Sequence, residues 1–171
     1  MRKSLLIMFL LFAAGITANA QKFALTDMEY ILKNIPAYQS ASNELNQVSK
    51  QWQNEVEKLG KEAKSLYDSY QASVKTLSDA QKTKKEEEIV AKEKSAAELR
   101  RKYFGPEGEL FKKREALMQP IQDEIYEAVK AISTQKGYAV VVDRASASSI
   151  IFASPNIDIS NEVLAKLGYS N

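Results

Sequence analysis

AYQSASNELNQVSKQWQNEVEKLGKEAKSLYDSYQASVKTL, residues 37–77, decides the fold. It holds no proline and a single glycine, Gly60. Apolar or small side chains fall at Ala41, Leu45, Val48, Trp52, Val56, Leu59, Ala63, Leu66, Tyr70, Val74 and Leu77. Ten steps cover 36 residues, a mean of 3.6. That period draws one stripe along a nearly straight α-helix, whereas a 3.5-residue repeat would impose a left-handed supercoil. At about 1.5 Å per residue the helix would reach roughly 60 Å. A chain of 171 residues cannot bury such a rod, so the rod must project and pair with something.

The partner follows in sequence. Ser78-Asp79-Ala80-Gln81 supplies a turn, and Ser78 with Gln81 three residues later fits a capping box. A second helix starts at Asp79 or Ala80. Its first part, Gln81–Glu88, is almost wholly charged, and Ile89 is its first large apolar residue; Ala96, Leu99 and Tyr103 continue the stripe. A short loop between long amphipathic helices implies an antiparallel hairpin, here with a weakly apolar, mobile tip. Phe104-Gly105-Pro106-Glu107-Gly108 breaks the pattern, with Pro106 expected in the first turn of the next helix. Gly105 to Gly108 reads equally as a hinge that splays the arm or as a static kink. Leu110, Leu117, Ile121, Ile125, Ala128 and Ile132 resume helical spacing up to Lys136, with a bend expected at Pro120 and a C-cap at Gly137.

The flanks have a different character. Lys22–Thr26 alternates like a strand, Asp27 can cap a helical turn at Met28–Asn34, and Ile35-Pro36 reads as a bend. Tyr138–Asp143 and Ser149–Ala153 are two compact apolar runs joined by the polar Arg144–Ser148, which reads as a β-hairpin. Lys22–Thr26 could add a third strand. A last helix begins at Asp158-Ile159-Ser160, carries Val163, Leu164 and Leu167, and stops at Gly168. The expected fold is mostly α with a small β body. Residues 22–36 and 137–171 form the body of a single domain, and a helical hairpin arm, 37–136, projects from it.

Residues 1–20 read as a cleavable export signal. Arg2 and Lys3 precede the apolar run Leu5–Ile16, and Ala18-Asn19-Ala20 fits an A-x-A site, so the mature chain is expected to start at Gln21. The run is shorter than the roughly 20 residues that span a bilayer. Removing it takes away two of the 24 basic residues and none of the 22 acidic ones, so the mature chain is net neutral. The basic residues alternate with acids along the helices, which describes solvated faces and argues against nucleic acid. The absence of Cys and His removes disulfides, thiol and imidazole catalysis, and most zinc and copper chemistry. No nucleophile elbow, P-loop or dinucleotide fingerprint is present. Asp143-Arg144 at a strand end is a charged pair without an assembled constellation. The expectation is a non-enzyme without metal or cofactor.

With these motifs in this order, the chain resembles the Skp/OmpH family of periplasmic chaperones. Phe23-Ala24-Leu25-Thr26-Asp27-Met28-Glu29-Tyr30-Ile31-Leu32 is similar to the family's opening strand and turn. Ile35-Pro36-Ala37-Tyr38, the long hairpin, Tyr138–Asp143, Ser149–Ala153 and Asp158-Ile159-Ser160 follow in the family's order. The resemblance implies a jellyfish-like homotrimer with a shared β body, three tentacles around a cavity, and ATP-independent holding of unfolded outer-membrane proteins in the periplasm. Family members are strongly basic, and this mature chain is neutral. That argues against a lipopolysaccharide or membrane-surface site, and Lys82, Lys84 and Lys85 are followed at once by Glu86, Glu87 and Glu88. Candidate client contacts are Tyr67, Tyr70, Val74 and Leu77 on the outgoing helix, and Ile89, Tyr103 and Phe104 on the return. The alternative for each, as for Trp52, is packing within the hairpin. The competing functional class is a coiled-coil adaptor or structural protein of the envelope that docks one folded partner.

Overall fold

The computed structural model describes residues 22–169. The expected export signal, its cleavage after Ala20 and the mature start at Gln21 lie outside them. In chain order the elements are β1 (Lys22–Thr26), α1 (Met28–Lys33), α2 (Pro36–Ser73), α3 (Asp79–Phe104), α4 (Glu109–Lys136), β2 (Tyr138–Asp143), a short 3-10 turn (Pro155–Ile157) and α5 (Ser160–Lys166). The chain is mostly helical and divides into two compact units. Of the described residues, one unit comprises 22–31 together with 127–169; the other runs from Leu32 to Tyr126.

The second unit is the hairpin. Ile35 sits in extended backbone at φ −100° and ψ 113°, and Pro36 occupies the first helical turn of α2, where its missing N–H costs nothing. All eleven residues of the stripe read from sequence are buried or half-buried. α2 ends at Ser73, four residues before the expected Leu77. Thr76 takes the Ser73 carbonyl with both its N–H, at 3.0 Å, and its hydroxyl, at 2.9 Å, closing a turn where the helix would have continued. Gln81 then reaches back to the Ser78 N–H at 2.9 Å and starts α3, as the capping box requires.

The break after α3 differs from expectation in one respect. Gly105 N–H donates to the Arg101 carbonyl at 2.8 Å and Gly108 N–H to the Gly105 carbonyl at 2.9 Å, so Pro106 stays in a turn and α4 starts only at Glu109. A Cβ at Gly108 would stand 2.7 Å from the Tyr103 oxygen, and one at Gly105 2.4 Å from that of Arg101. Close backbone approach therefore accounts for both glycines. Pro120 does not interrupt α4. Gly60 is the contrasting case. A Cβ there would meet nothing within 4 Å, yet glycine inside a helix costs about 1 kcal/mol relative to alanine.

In the other unit β1 and β2 are parallel, with Phe23 opposite Val140 and Thr26 opposite Asp143. The expected β-hairpin between Tyr138–Asp143 and Ser149–Ala153 is not formed. Asp143 accepts from Ala145 N–H at 3.1 Å, and Ala147 and Ile150 N–H groups close two further turns. These turns carry the chain away from the sheet, and residues 151–154 have no regular structure. On its other side β1 meets Asp158, and the Leu25 carbonyl accepts from Ile159 N–H at 2.9 Å. Ala24, Leu25, Ile31, Ala128, Ile132, Ile159, Val163 and Leu164 form the core. Gly137 at φ +71° and Gly168 at φ +85° end α4 and α5 in the left-handed conformation, as expected of glycine C-caps.

Candidate functional site

The seam between α2 and α3 is held at a few points. Trp52 and Tyr103 stack with ring centroids 4.6 Å apart and planes 5° from parallel, and Phe104 meets Tyr103 edge-on at 6.3 Å. The Tyr103 hydroxyl donates to Glu55 at 2.7 Å, Lys92 bonds Glu62 at 2.9 Å, and the Tyr70 hydroxyl donates to Glu86. Hydrogen bonding to Glu55 and to Glu86 raises the pKa of Tyr103 and of Tyr70, because ionisation would set two anions against each other. The bond from Lys92 lowers that of Glu62.

Helical spacing places Glu55 and Glu62 on one flank of α2, and Gln53, Glu57, Gly60, Lys64 and Tyr67 on the other. The first flank is the one bonded across to Tyr103 and Lys92. The second borders an open groove of about 1160 Å³, lined on α2 by Gln53, Val56 and Gly60, and on α3 by Ala97, Arg100 and Phe104. Beyond Ala97, the same spacing along α3 brings Val90 to this flank. Lys61 pairs with Glu57 at 3.3 Å and Lys64 with Asp68 at 2.8 Å. Arg100 and Arg101, also on the groove, have no carboxylate partner among the described residues.

The residues singled out from sequence divide sharply. Tyr67 is exposed, at 48 %. Phe104 is half-buried and lines the groove. Tyr70 and Ile89 are buried in the seam, Tyr103 is stacked there, and Val74 and Leu77 are half-buried in the tip turn. Sequence reasoning missed Val90, which lies off the stripe at 61 % exposure, and Phe111 and Tyr126 on α4. An apolar residue out of register with its helix's stripe was the available signal. In the other unit Phe23, Val140, Ile151 and Phe152 are exposed, the last two almost fully.

Asp143-Arg144 proves to be a clasp. Arg144 reaches Asp27 at 3.2 Å and Asp158 at 3.3 Å. The Asp143 carboxylate accepts from Met28 N–H at 3.1 Å, capping α1. Burial opposes its ionisation, but the N–H groups of Met28, Ala145 and Ser146 and the Ser146 hydroxyl together lower its pKa. Among the described residues no group of three or more carboxylates is placed to hold a metal ion, and no helix is long and apolar enough to cross a membrane.

Both units fall within a match to the family model described as outer membrane protein (OmpH-like), which spans residues 22–167. The chain belongs to the OmpH-like family. It is 24% identical over 167 residues to the chaperone protein Skp of Photorhabdus luminescens, covering 92% of each chain. To the chaperone protein Skp of Yersinia enterocolitica it is 23% identical over 157 residues, covering 91% of each. Among solved structures, a Caulobacter crescentus protein described as an OmpH-like outer membrane chaperone superposes with a TM-score of 0.67. That match covers 86% of this chain and 83% of that one at 13% identity, a likeness of fold. Membership in the OmpH-like family bears out the resemblance read from sequence and sets the chain beside relatives named as chaperones.

Proposed function

We propose that this OmpH-like chain is an ATP-independent holdase of the periplasm, which binds unfolded outer-membrane proteins and keeps them from aggregating. The family match across both units carries the reading, since the relatives it brings are chaperones. The surface chemistry supports it. An unfolded barrel strand exposes an apolar side chain at every second residue. Burial against Tyr67, Val90 and Phe104 gains about 25 cal/mol per Å² removed from water, less the cost of ordering the client. Tyr70, Ile89 and Tyr103 serve by holding the arm together, and Val74 and Leu77 shape its tip.

The working form is a homotrimer joined through the β unit. A two-stranded sheet is marginal alone in water. Copies of the chain would cover Phe23, Val140, Ile151 and Phe152, which are exposed in one copy. No nucleotide, metal or nucleic acid enters this reading, and a net-neutral mature chain holds its clients through short-range contacts.

Light scattering on residues 21–171, alone and mixed with a urea-unfolded outer-membrane barrel diluted into buffer, tests the proposal. The expected result is a trimer alone and a soluble trimer–barrel complex. A discrete oligomer that leaves the barrel to aggregate would overturn it and favour an adaptor for a folded envelope partner.

A further inference from the structure

The arm has two unlike flanks, and one of them is left open in a specific way. On the closed flank Glu62–Lys92 and Glu55–Tyr103 bond across the seam. On the open flank the single glycine of α2 faces empty space. Neither a positive φ nor a close contact requires glycine at position 60. Ala97 faces the groove from α3, and Phe104 closes one end of its apolar floor. Arg100 and Arg101 border the same groove without a carboxylate partner among the described residues, although most lysines nearby are paired.

We propose that this groove is the arm's seat for an extended polypeptide segment in which apolar side chains flank a carboxylate. The inference rests on the holdase reading and assigns it to one flank. Apolar side chains of the segment lie over Gly60, Ala97 and Phe104, and its carboxylate meets the Arg100 and Arg101 guanidiniums, whose planar forks suit that group. The side-chain amides of Gln53 and Asn54 line the groove too and can serve the backbone N–H and C=O groups that an extended chain leaves unpaired. A lipid tail has no such groups, and a helix has already paired its own.

The test uses the full mature chain and two labelled ten-residue peptides of alternating apolar and polar residues, one carrying glutamate and the other lysine at its centre. Fluorescence anisotropy should show the glutamate peptide binding more tightly. Gly60→Leu should weaken its binding at least tenfold without loss of helix, since the new side chain enters open space. Ala72→Leu, an exposed position of α2 that does not line the groove, should leave binding within twofold. R100S/R101S should abolish the preference for glutamate over lysine. Equal binding of the peptide by Gly60→Leu and the unsubstituted chain would overturn the inference while suppression of barrel aggregation kept the holdase reading intact. A change in oligomer mass on Gly60→Leu would also overturn it, by showing that a second copy fills the groove. If the unsubstituted chain fails to keep the unfolded barrel soluble, the holdase reading falls and this inference with it.

Discussion

The hairpin and the β unit are stabilised in different ways. The hairpin relies on a periodic apolar stripe and a handful of cross-helix contacts, among them the Trp52–Tyr103 stack. The β unit adds to its apolar core polar bonds between distant stretches of chain: Met28 to Asp143, Asp27 N–H to the Ser160 hydroxyl at 2.8 Å, and Arg144 to Asp27 and Asp158. An arm proposed to accept varied clients can depend on non-directional packing. The β unit has a buried apolar core of its own, and its directional bonds select which distant stretches of chain meet around it.

The largest break should come from Trp52→Ala. Loss of the stacked ring should destabilise the hairpin by about 2–3 kcal/mol, below the full range for a buried aromatic because Trp52 is half-exposed. Hydrogen exchange should show faster exchange in α3 and little change in β1 and β2. Asp143→Asn should cost about 1 kcal/mol through the weakened cap on α1, seen as reduced protection in the β unit. Gly60→Ala should change the hairpin in the other direction, stabilising it by up to about 1 kcal/mol in denaturant melts. Lys92→Met should have the least effect, leaving the denaturation midpoint nearly unmoved, because the Glu62 pair is solvated.

Both units should respond to pH at particular bonds. The folded pKa of Asp143 lies below its ordinary 3.8. Its contribution is complete above that value and is lost as pH falls through the folded pKa. Tyr70 and Tyr103 have folded pKa values above the ordinary 10.0, so their contributions hold below pH 10.0 and are lost as pH rises through the folded values. Acid should weaken the Asp143 cap on α1 and, through Glu62, the bond to Lys92 in the hairpin; strong alkali should release the Tyr70 and Tyr103 bonds of the hairpin and, through Lys136, its bond to Glu162. Exchange measured at both extremes checks these positions, and Asp143→Asn should flatten the acid response around α1.

The same division governs what the sequence made legible. The hairpin could be read because its signals are local: a 3.6-residue stripe from Ala41 to Leu77, the Ser78–Gln81 capping box, and the glycines around Pro106. Its proposed binding surface was less legible. Stripe residues such as Tyr70 and Ile89 were natural candidates, but a stripe is what the partner helix covers, and the exposed apolar residues, Tyr67 and Val90, lie beside it. In the β unit the strands Lys22–Thr26 and Tyr138–Asp143 were visible, and their pairing was not. Ser149–Ala153 has the composition of a strand, but composition does not choose a partner. The Asp143 carboxylate and the turns after it do, by directing the chain away from the sheet.

The parallel pairing of β1 with β2 sets an order of assembly. Residue 22 waits for residue 138 before its strand has a neighbour. All of α2 and α3 lie between the two in sequence, so the arm can close locally while the unit that gathers the two distant stretches is still incomplete. Contacts of such long sequence separation form late and slowly. A chain that closes its hairpin first therefore has its arm before it has the unit proposed to join it to other copies, and the connectivity itself delays that joining.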